Sequence, residues 1–440
     1  MNTYGRIAFA LLTIGLAAAQ DQGGKSLLPG EFDGYNEIVK DINLKNFTKA
    51  LADIAAWRQK FPASAYQDDG SALEIQALAE TNQPAKALDE LSAVMARGFD
   101  TVYPGPQGQA TVIRLLYAAT WAIAHLPNPS AEEISTGRTA ARQLMAYDRQ
   151  LPGVSPSQWE QARTDMKTKA DGALFYLAML PGLQAMSHQP PDCVSAESSF
   201  AAALGDYPDR SILSYDLGRA FNCQVKDQPG KIFAAIYEFE RASSIDPKLG
   251  DPNADPSKVQ SFADNSYIRV HGSDEGLDRL KQLVKQSPLP PSGFSFPTAA
   301  EVAEQKRAEF ERDNPQLAIW IRIKAALADS NGASFFDTQM KDTTMPMLRG
   351  TLLDAKPVCH PRELLVAVSA PDAPKPLAPE IRLKLDKQLA GKPVLGSEFQ
   401  WEGVATAFTQ QPFILTMETA SKNITGLKLD ACSATLPKKQ

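Results

Sequence analysis

Residues 196–208 read AESSFAAALGDYP and residues 235–247 read AIYEFERASSIDP, and the two segments share one spaced quartet. The quartets have the same gaps of four, three and five residues, and they consist of Ala196, Phe200, Ala203 and Pro208, and of Ala235, Phe239, Ala242 and Pro247. Gaps of four and three place the first three residues on one face of a helix. The proline ends that helix because it has no backbone N–H to donate. The pattern predicts two equivalent helices and indicates an internal repeat.

A looser quartet, with a small residue, two apolar residues and a terminator, recurs at the same gaps elsewhere. Four segments carry it: Ala50, Ile54, Trp57 and Pro62; Ala87, Leu91, Val94 and, in place of proline, Phe99; Ala140, Leu144, Tyr147 and Pro152; and Gly276, Leu280, Leu283 and Pro288. An amphipathic pattern alone would not keep placing a terminator at one offset, so the matches favour a series of similar helical units. The alternative is an irregular α-helical bundle, because the spacing between the units varies.

This spacing resembles the second helix of the tetratricopeptide repeat family, which carries a small residue, an aromatic residue, an alanine and a closing proline at these offsets. Leu217, Gly218 and Phe221 resemble the first helix of that repeat. The stretch from Gly218 to Ala235 is about five residues longer than a period of about 34 residues allows. The resemblance covers roughly residues 30–290. It implies a mainly α fold, a solenoid of α-helical hairpins, that binds a protein or peptide partner in a concave groove.

Helix starts are predicted by a second signal. The spacing of a capping box before an apolar helical run occurs in three places: Ser71 with Glu74, Ser130 with Glu133, and Thr298 with Glu301. In a capping box the hydroxyl accepts a hydrogen bond from the backbone N–H three residues later, and the glutamate side chain accepts one in return. We therefore expect a helix to begin just after each of these serine or threonine residues.

The first residues of the chain have the pattern of an export signal. Arg6 follows a short polar start, residues 7–16 are an apolar run, and Ala17, Ala18 and Ala19 are the small residues that a signal peptidase reads. The apolar run is too short to span a bilayer, and no later run of about 18 apolar residues follows, so no transmembrane segment is expected. We expect residues 1–19 to be a signal peptide and the protein to be periplasmic or secreted. The alternative is a buried N-terminal helix or a retained anchor.

The four cysteines, Cys193, Cys223, Cys359 and Cys432, have no C-x-x-C spacing and no nearby pair of histidines, which argues against a zinc site. In an oxidising compartment an even number of cysteines suggests disulfides. In the hairpin stack that the resemblance implies, Cys193 and Cys223 lie on the same rim. We therefore favour a bond between them, with Cys359 and Cys432 closing the C-terminal domain. Free buried thiols are the alternative, since four cysteines allow three connectivities.

The character of the chain changes after residue 290. We expect a tetratricopeptide-like domain over residues 20–290, a helical connector over residues 291–342 and a small antiparallel β sandwich or barrel over residues 343–440. Alternating apolar residues predict about six short strands, at residues 347–353, 363–369, 381–385, 398–407, 413–418 and 423–429. A small antiparallel sandwich or barrel is the simplest fold for that number of strands.

Charge also differs along the chain. The sequence carries a net charge of −6, but residues 343–440 contain 12 Lys and Arg against nine Asp and Glu. This mild positive charge suits an anionic partner such as a lipid head group or a polysaccharide. A small closed barrel is also the architecture of oligonucleotide-binding folds. Export and the absence of a cluster of aromatic and basic residues argue against nucleic acid.

No catalytic, cofactor or metal motif stands out in the sequence. Gly24, Lys25 and Ser26 lack the earlier glycine of a phosphate-binding loop, and the four histidines are scattered. We therefore predict no catalytic residues, no cofactor and no metal, and favour a non-enzymatic interaction scaffold. The alternative is a carbohydrate-binding or enzymatic module whose ligand site lies in the β domain. Its stacking platform would consist of Trp401, Phe399 or Phe408, unless these residues pack in the core.

Overall fold

The structure is a computed structural model that describes residues 28–368 and 376–432. The chain divides into two compact units, with the boundary between Phe296 and Pro297. The expected signal peptide and the Gly24–Ser26 segment lie outside the described residues. The unit that ends at Phe296 is the helical unit, and the unit that begins at Pro297 is the barrel unit.

The helical unit contains thirteen helices among its described residues. They are α1 (Glu31–Asn43), α2 (Phe47–Lys60), α3 (Gln67–Glu80), α4 (Pro84–Arg97), α5 (Phe99–Val102), α6 (Gly105–Ala124), α7 (Ala131–Ala146), α8 (Pro156–Ser187), α9 (Cys193–Asp206), α10 (Ser211–Cys223), α11 (Lys231–Ile245), α12 (Pro256–His271) and α13 (Leu277–Leu283). Helices that follow one another in the chain pack on one another, and four hydrophobic cores succeed each other along the unit.

The helices predicted from the two strict quartets are α9 and α11. Their small and aromatic quartet residues are buried, with exposed fractions of 5% or less. Helix α9 ends at Asp206, two residues before Pro208, and α11 ends at Ile245, two residues before Pro247. In both helices, therefore, the proline lies just beyond the end of the helix, as its missing N–H requires.

Glycine marks the places where these helices cross closely. A Cβ atom added to Gly218 in α10 would lie 2.7 Å from Cε1 of Phe239 in α11, a distance that real Cβ atoms do not adopt. Gly182 in α8 has the same relation to Phe200 in α9, at an even closer approach. The aromatic residue of each quartet thus packs directly on a glycine of the preceding helix. This contact explains why that position of the preceding helix requires glycine.

Two local expectations are wrong. Ser71 lies inside α3, which begins at Gln67, so it does not cap a helix. Gly276 adopts a left-handed conformation, with φ of 84°, in front of α13 and is not a helical residue. Helix α8 extends for 32 residues and continues through Pro181. The other two capping boxes, at Ser130 and Thr298, are confirmed.

The barrel unit begins with α14 (Ala299–Asp313), α15 (Pro315–Ala328) and α16 (Gly332–Phe335), followed by a short π-helix (Phe336–Met340). The strands are β1 (Thr344–Lys356), β2 (Glu363–Ala367), β3 (Ile381–Leu385), β4 (Lys392–Pro393), β5 (Glu398–Gln410), β6 (Phe413–Thr419), β7 (Ile424–Thr425) and β8 (Leu429–Asp430). The last predicted strand is therefore reduced to the two short strands β7 and β8.

Five strands close into a barrel in the order β1, β2, β3, β6, β5 and back to β1. Strand β1 pairs with β5 through its first half and with β2 through its second half, and its register shifts at two places. The barrel is not purely antiparallel as expected, because β3 and β6 are parallel. Strand directions cannot alternate all the way around a closed barrel of five strands, so one neighbouring pair must be parallel. The connectivity is that of a small Greek-key barrel.

The helices predicted as a connector belong to the barrel unit. Trp320 and Leu327 of α15 share one hydrophobic core with the strands of the barrel. The indole N–H of Trp320 donates to Oε2 of Glu380, just before β3, at 2.9 Å. Gln410 at the end of β5 donates to the carbonyl oxygen of Leu327 at 3.1 Å. Helix α15 therefore packs at the end of the barrel where β3 begins and β5 ends.

Candidate functional site

An open groove of about 490 Å³ lies on the helical unit where α2, α3 and α4 meet. Its walls consist of Thr48, Leu51 and Ala52 from α2, Glu74 and Leu78 from α3, and Gln83, Lys86, Asp89 and Glu90 from the start and outer face of α4. The quartet residues Ala50, Ile54 and Trp57 face the core, Leu51 is partly buried at its edge, and Ala52 is exposed. The repeat pattern thus leaves a second face of α2 free to line a groove.

One side of the groove is acidic and is held in place by Arg58. The guanidinium of Arg58 forms an ion pair with Glu74, and a longer one, at 3.7 Å, with Glu90. It also donates to the hydroxyl of Ser71 at 2.7 Å. Three side chains from α3 and α4 are thereby fixed around a single cation from α2. Ser71, which the sequence had suggested as a helix cap, supports this arginine instead.

Glu74 is a partly buried acid of the groove. Burial raises the pKa of its carboxyl group, the charge of Arg58 opposes this rise, and the charge of Glu90 adds to it. Asp89 is exposed and forms no ion pair among the described residues. The groove therefore combines an apolar floor, formed by Leu51, Ala52 and Leu78, with a rim that carries three carboxyl groups and one lysine.

The residues singled out in the sequence lie elsewhere and have structural positions. Ala196, Phe200, Ala203, Ala235, Phe239 and Ala242 are buried, and Gly218 lies at a close helix crossing, so none of these residues contacts the groove. The carbonyl oxygen of Pro208 accepts a hydrogen bond from Nη2 of Arg241 in α11, at 2.5 Å. Pro208 therefore links the turn between α9 and α10 to α11, in addition to following the end of a helix.

Sequence reasoning missed a set of buried charged residues in α11. Glu238 and Glu240 have an exposed fraction of 0%, and Arg241 has one of 6%. Burial raises the pKa of Glu238 to about 8, and Ser214 and Arg241 oppose this rise. Burial, followed by the charge of Asp264, raises the pKa of Glu240 to about 8, against the charge of Lys281. The segment EFER resembles a solvated helical face, and only the neighbouring apolar residues Ile236 and Tyr237 indicate that α11 is buried all round.

The cysteines form the two pairs favoured from the sequence. Cys193, the first residue of α9, is bonded to Cys223, the last residue of α10, and Cys359 is bonded to Cys432. His360 lies beside the second pair, with its ring nitrogen within 4.8 Å of both sulfur atoms. Both sulfurs are shared in a disulfide, so this group of three residues offers no thiolate to a metal ion.

The aromatic residues of the β domain pack in the core and do not form the stacking platform of the alternative hypothesis. Trp401 has an exposed fraction of 0% and Phe399 one of 2%, and both lie in the barrel core. Phe408 is partly buried and packs against Phe336 at a ring-centroid distance of 5.3 Å. Within residues 344–368 and 376–432 no Phe, Tyr or Trp side chain is fully exposed, and Phe413, like Phe408, is partly buried.

Comparison with protein families, with curated proteins and with solved structures finds no match for this chain. Among the helices that the structure describes, none combines the length and the apolar character needed to cross a membrane.

Proposed function

We propose that this protein is an exported, non-enzymatic interaction scaffold whose helical unit forms a tetratricopeptide-like solenoid and binds an extended segment of a protein partner. The observation that supports this proposal is the groove on α2, α3 and α4, which is open, has an apolar floor and is lined by side chains from consecutive helices. The two disulfides support a periplasmic or extracellular location, because such bonds persist in oxidising compartments.

The chemistry of the groove favours a particular kind of peptide. Its rim contributes Glu74, Asp89 and Glu90 against Lys86, and Arg58 already neutralises part of the charge of Glu74 and Glu90. Asp89 is the carboxylate that stays available to a ligand. An extended segment with one lysine or arginine, flanked by aliphatic residues for the floor, matches this arrangement of charge and apolar surface.

Selection from a displayed peptide library tests the proposal. Peptides selected on the protein without residues 1–19 should be enriched in one basic residue between aliphatic residues. Replacing the exposed Ala52 on the groove floor with arginine should weaken binding at least about tenfold, which corresponds to about 1.4 kcal/mol. The matched control is Ala202→Arg, on the exposed face of α9.

A second pair of variants tests the acidic rim. Asp89→Lys should weaken the same peptides, whereas Asp227→Lys, in an exposed loop between α10 and α11, should not. Fluorescence anisotropy with a labelled peptide measures both effects. The groove has no such function if no peptide is enriched, or if Ala52→Arg and Asp89→Lys bind the selected peptides as tightly as the unmodified protein does.

A further inference from the structure

Three loops meet at the end of the barrel opposite to α15. They consist of residues 357–362, between β1 and β2, residues 386–397, between β3 and β5, and residues 420–432, after β6. The backbone N–H of His360 donates to the carbonyl oxygen of Gly391 at 2.9 Å, and that of Val394 donates to the carbonyl oxygen of Lys428 at 3.0 Å. The Cys359–Cys432 disulfide joins the first loop to the third. The loops therefore form one connected surface, called the tip surface below.

The tip surface exposes aliphatic side chains. Val358, Leu395 and Leu429 have exposed fractions of 60%, 58% and 43%, and each lies on a different loop. In the described part of the barrel unit, the other large exposed apolar side chains are Ile321 and Met347, on α15 and β1. A single exposed aliphatic side chain needs no explanation. One such side chain on each of three connected loops at the same end of a barrel indicates a contact surface.

The same loops carry an excess of positive charge. They contain five basic residues, Arg362, Lys387, Lys392, Lys422 and Lys428, against Asp386 and Asp430. All five basic side chains are exposed, and none forms an ion pair within the part of the chain that the structure describes. The carboxylate of Asp386 accepts a hydrogen bond from the backbone N–H of Ser421 at 2.7 Å. A protein with a net charge of −6 thus has a positive end.

We propose that the tip surface binds an anionic lipid membrane, with Val358, Leu395 and Leu429 entering the interfacial region and the surrounding lysines contacting lipid phosphates. Lysines close to an anionic leaflet are attracted to its negative surface potential, and aliphatic side chains gain by leaving water for the acyl boundary. An anionic polysaccharide satisfies the lysines but offers no apolar phase to the aliphatic residues. The combination of both kinds of side chain therefore favours a bilayer.

The disulfide gives this surface its shape. Cys432 lies near the end of the third loop, and its bond to Cys359 holds that loop beside Val358. The short pairing of β4 with β8 places Lys392 opposite Asp430 and Pro393 opposite Leu429. These links fix the loops before any lipid is met, so little conformational entropy is lost on binding.

Vesicle flotation tests the proposal directly. The protein without residues 1–19 is used, because the apolar run at residues 7–16 would bind lipid by itself. It should float with vesicles of phosphatidylcholine and phosphatidylglycerol in equal parts and stay behind with phosphatidylcholine alone. Binding should weaken as salt is raised, because screening shortens the reach of the lysines. Lys392→Glu with Lys428→Glu should lower the partition coefficient at least about tenfold.

The aliphatic residues need a separate variant. Val358→Ser with Leu395→Ser and Leu429→Ser should lower partitioning by about tenfold or more while leaving the charge unchanged. The matched control for the apolar change is Ile321→Ser, which has a similar exposure of 47%, and the control for the charge change is Lys306→Glu on α14. Circular dichroism confirms that each variant is folded.

Four results would overturn the proposal. They are equal binding to both kinds of vesicle, absence of binding to the anionic vesicles, full binding by the triple serine variant, and loss of binding in the two controls. Binding to soluble anionic polysaccharide without binding to anionic vesicles would assign the tip surface to a carbohydrate instead. The selected peptides of the groove serve as a separate readout, since their binding to α2, α3 and α4 should be unchanged in every tip-surface variant.

Discussion

Six charged side chains of the helical unit are buried, namely Glu31, Asp41, Asp216, Glu238, Glu240 and Arg241, whereas the buried polar side chains described in the barrel unit are Ser397, Thr416 and Thr419. The difference follows from the two architectures. Helices satisfy their own backbone hydrogen bonds, so the space between hairpins can accommodate polar pairs such as Arg241 with Ser214, at 2.6 Å. A closed barrel of few strands has an interior that side chains just fill, and apolar ones fill it here.

The stability of the two units therefore depends on different solution conditions. The stability of the helical unit is linked to the protonation of groups within its core, and the barrel unit lacks buried groups of this kind among its described residues. Each unit contains one disulfide, which constrains loops of different length. Hydrogen exchange followed by mass spectrometry reads peptides of each unit separately, so the predictions below can be measured unit by unit.

The largest effect is expected from the disulfides. Cys359 and Cys432 are separated by 73 residues, and Cys193 and Cys223 by 30 residues. Chain entropy then predicts that Cys359→Ser with Cys432→Ser lowers the unfolding free energy of the barrel unit by about 4.4 kcal/mol. Cys193→Ser with Cys223→Ser should lower that of the helical unit by about 3.6 kcal/mol.

Urea denaturation monitored by hydrogen exchange measures both losses. The non-targeted unit of each double variant serves as the internal control, and its exchange should not change. A greater loss in the helical unit than in the barrel unit would contradict the loop-length argument. It would indicate that the Cys193–Cys223 bond, at the junction of α9 and α10, resists unfolding by something other than chain entropy.

The helical part of the fold was largely predictable, because its signals are local. The quartets identified α9 and α11, and Asn314 followed by Pro315 lies where α14 ends and α15 begins. Gly182 has no sequence signal for its role, because it follows Pro181, and a Pro-Gly pair is typical of a turn. In the structure this glycine lies inside α8 and receives the ring of Phe200, a contact that depends on the next helix and not on its own sequence neighbours.

The parts that sequence reasoning missed depend on contacts between distant residues. The alternation in β3 and β6 predicted two strands but not that they are parallel, since their direction depends on how the barrel closes. Trp401 alternates like any strand residue, so the pattern alone did not decide between the core and a binding face. The groove on α2, α3 and α4 has no motif either. Arg58, Glu74 and Glu90 meet only after three helices have packed.

The next largest effect is the pH dependence of the unfolding free energy of the helical unit. The carboxyl groups of Glu238 and Glu240 have an ordinary pKa of 4.5, which burial raises to about 8 in the folded state. Between these two values the folded state binds more protons than the unfolded state, so the unfolding free energy falls as the pH rises. One such carboxyl contributes at most about 1.4 kcal/mol for each pH unit.

The unfolding free energy of the helical unit should fall between pH 5 and pH 7. Replacing Glu238 with glutamine should make this fall smaller by roughly 2 kcal/mol. Glu132→Gln, at an exposed position of α7, should leave the pH profile unchanged. Thermal unfolding at several pH values, with exchange reporting on each unit, gives the comparison. If the barrel unit loses the same stability over this range, the buried carboxyls of α11 are not the cause. If Glu238→Gln has the same slope as the unmodified protein, Glu238 does not contribute to it.

The smallest effect concerns the two confirmed capping boxes, one in each unit. The hydroxyl of Ser130 accepts a hydrogen bond from the backbone N–H of Glu133 at 3.2 Å, and that of Thr298 accepts one from the backbone N–H of Glu301 at 3.4 Å. Replacing either residue with alanine leaves that N–H without its partner and should cost about 1 kcal/mol. Ser130→Ala should increase exchange in α7 and the helical unit, and Thr298→Ala in α14 and the barrel unit.

Ser198→Ala, at an exposed position inside α9, provides the control, since the cap of that helix is Asp192. The pair of capping variants also tests the division of the chain at Phe296 and Pro297. Helix α14 is the first element after that boundary and has no buried residue of its own. If Thr298→Ala destabilises the helical unit more than the barrel unit, then α14 is coupled to the hairpins, and the contrast between the two units must be drawn after Asp313 instead of before Pro297.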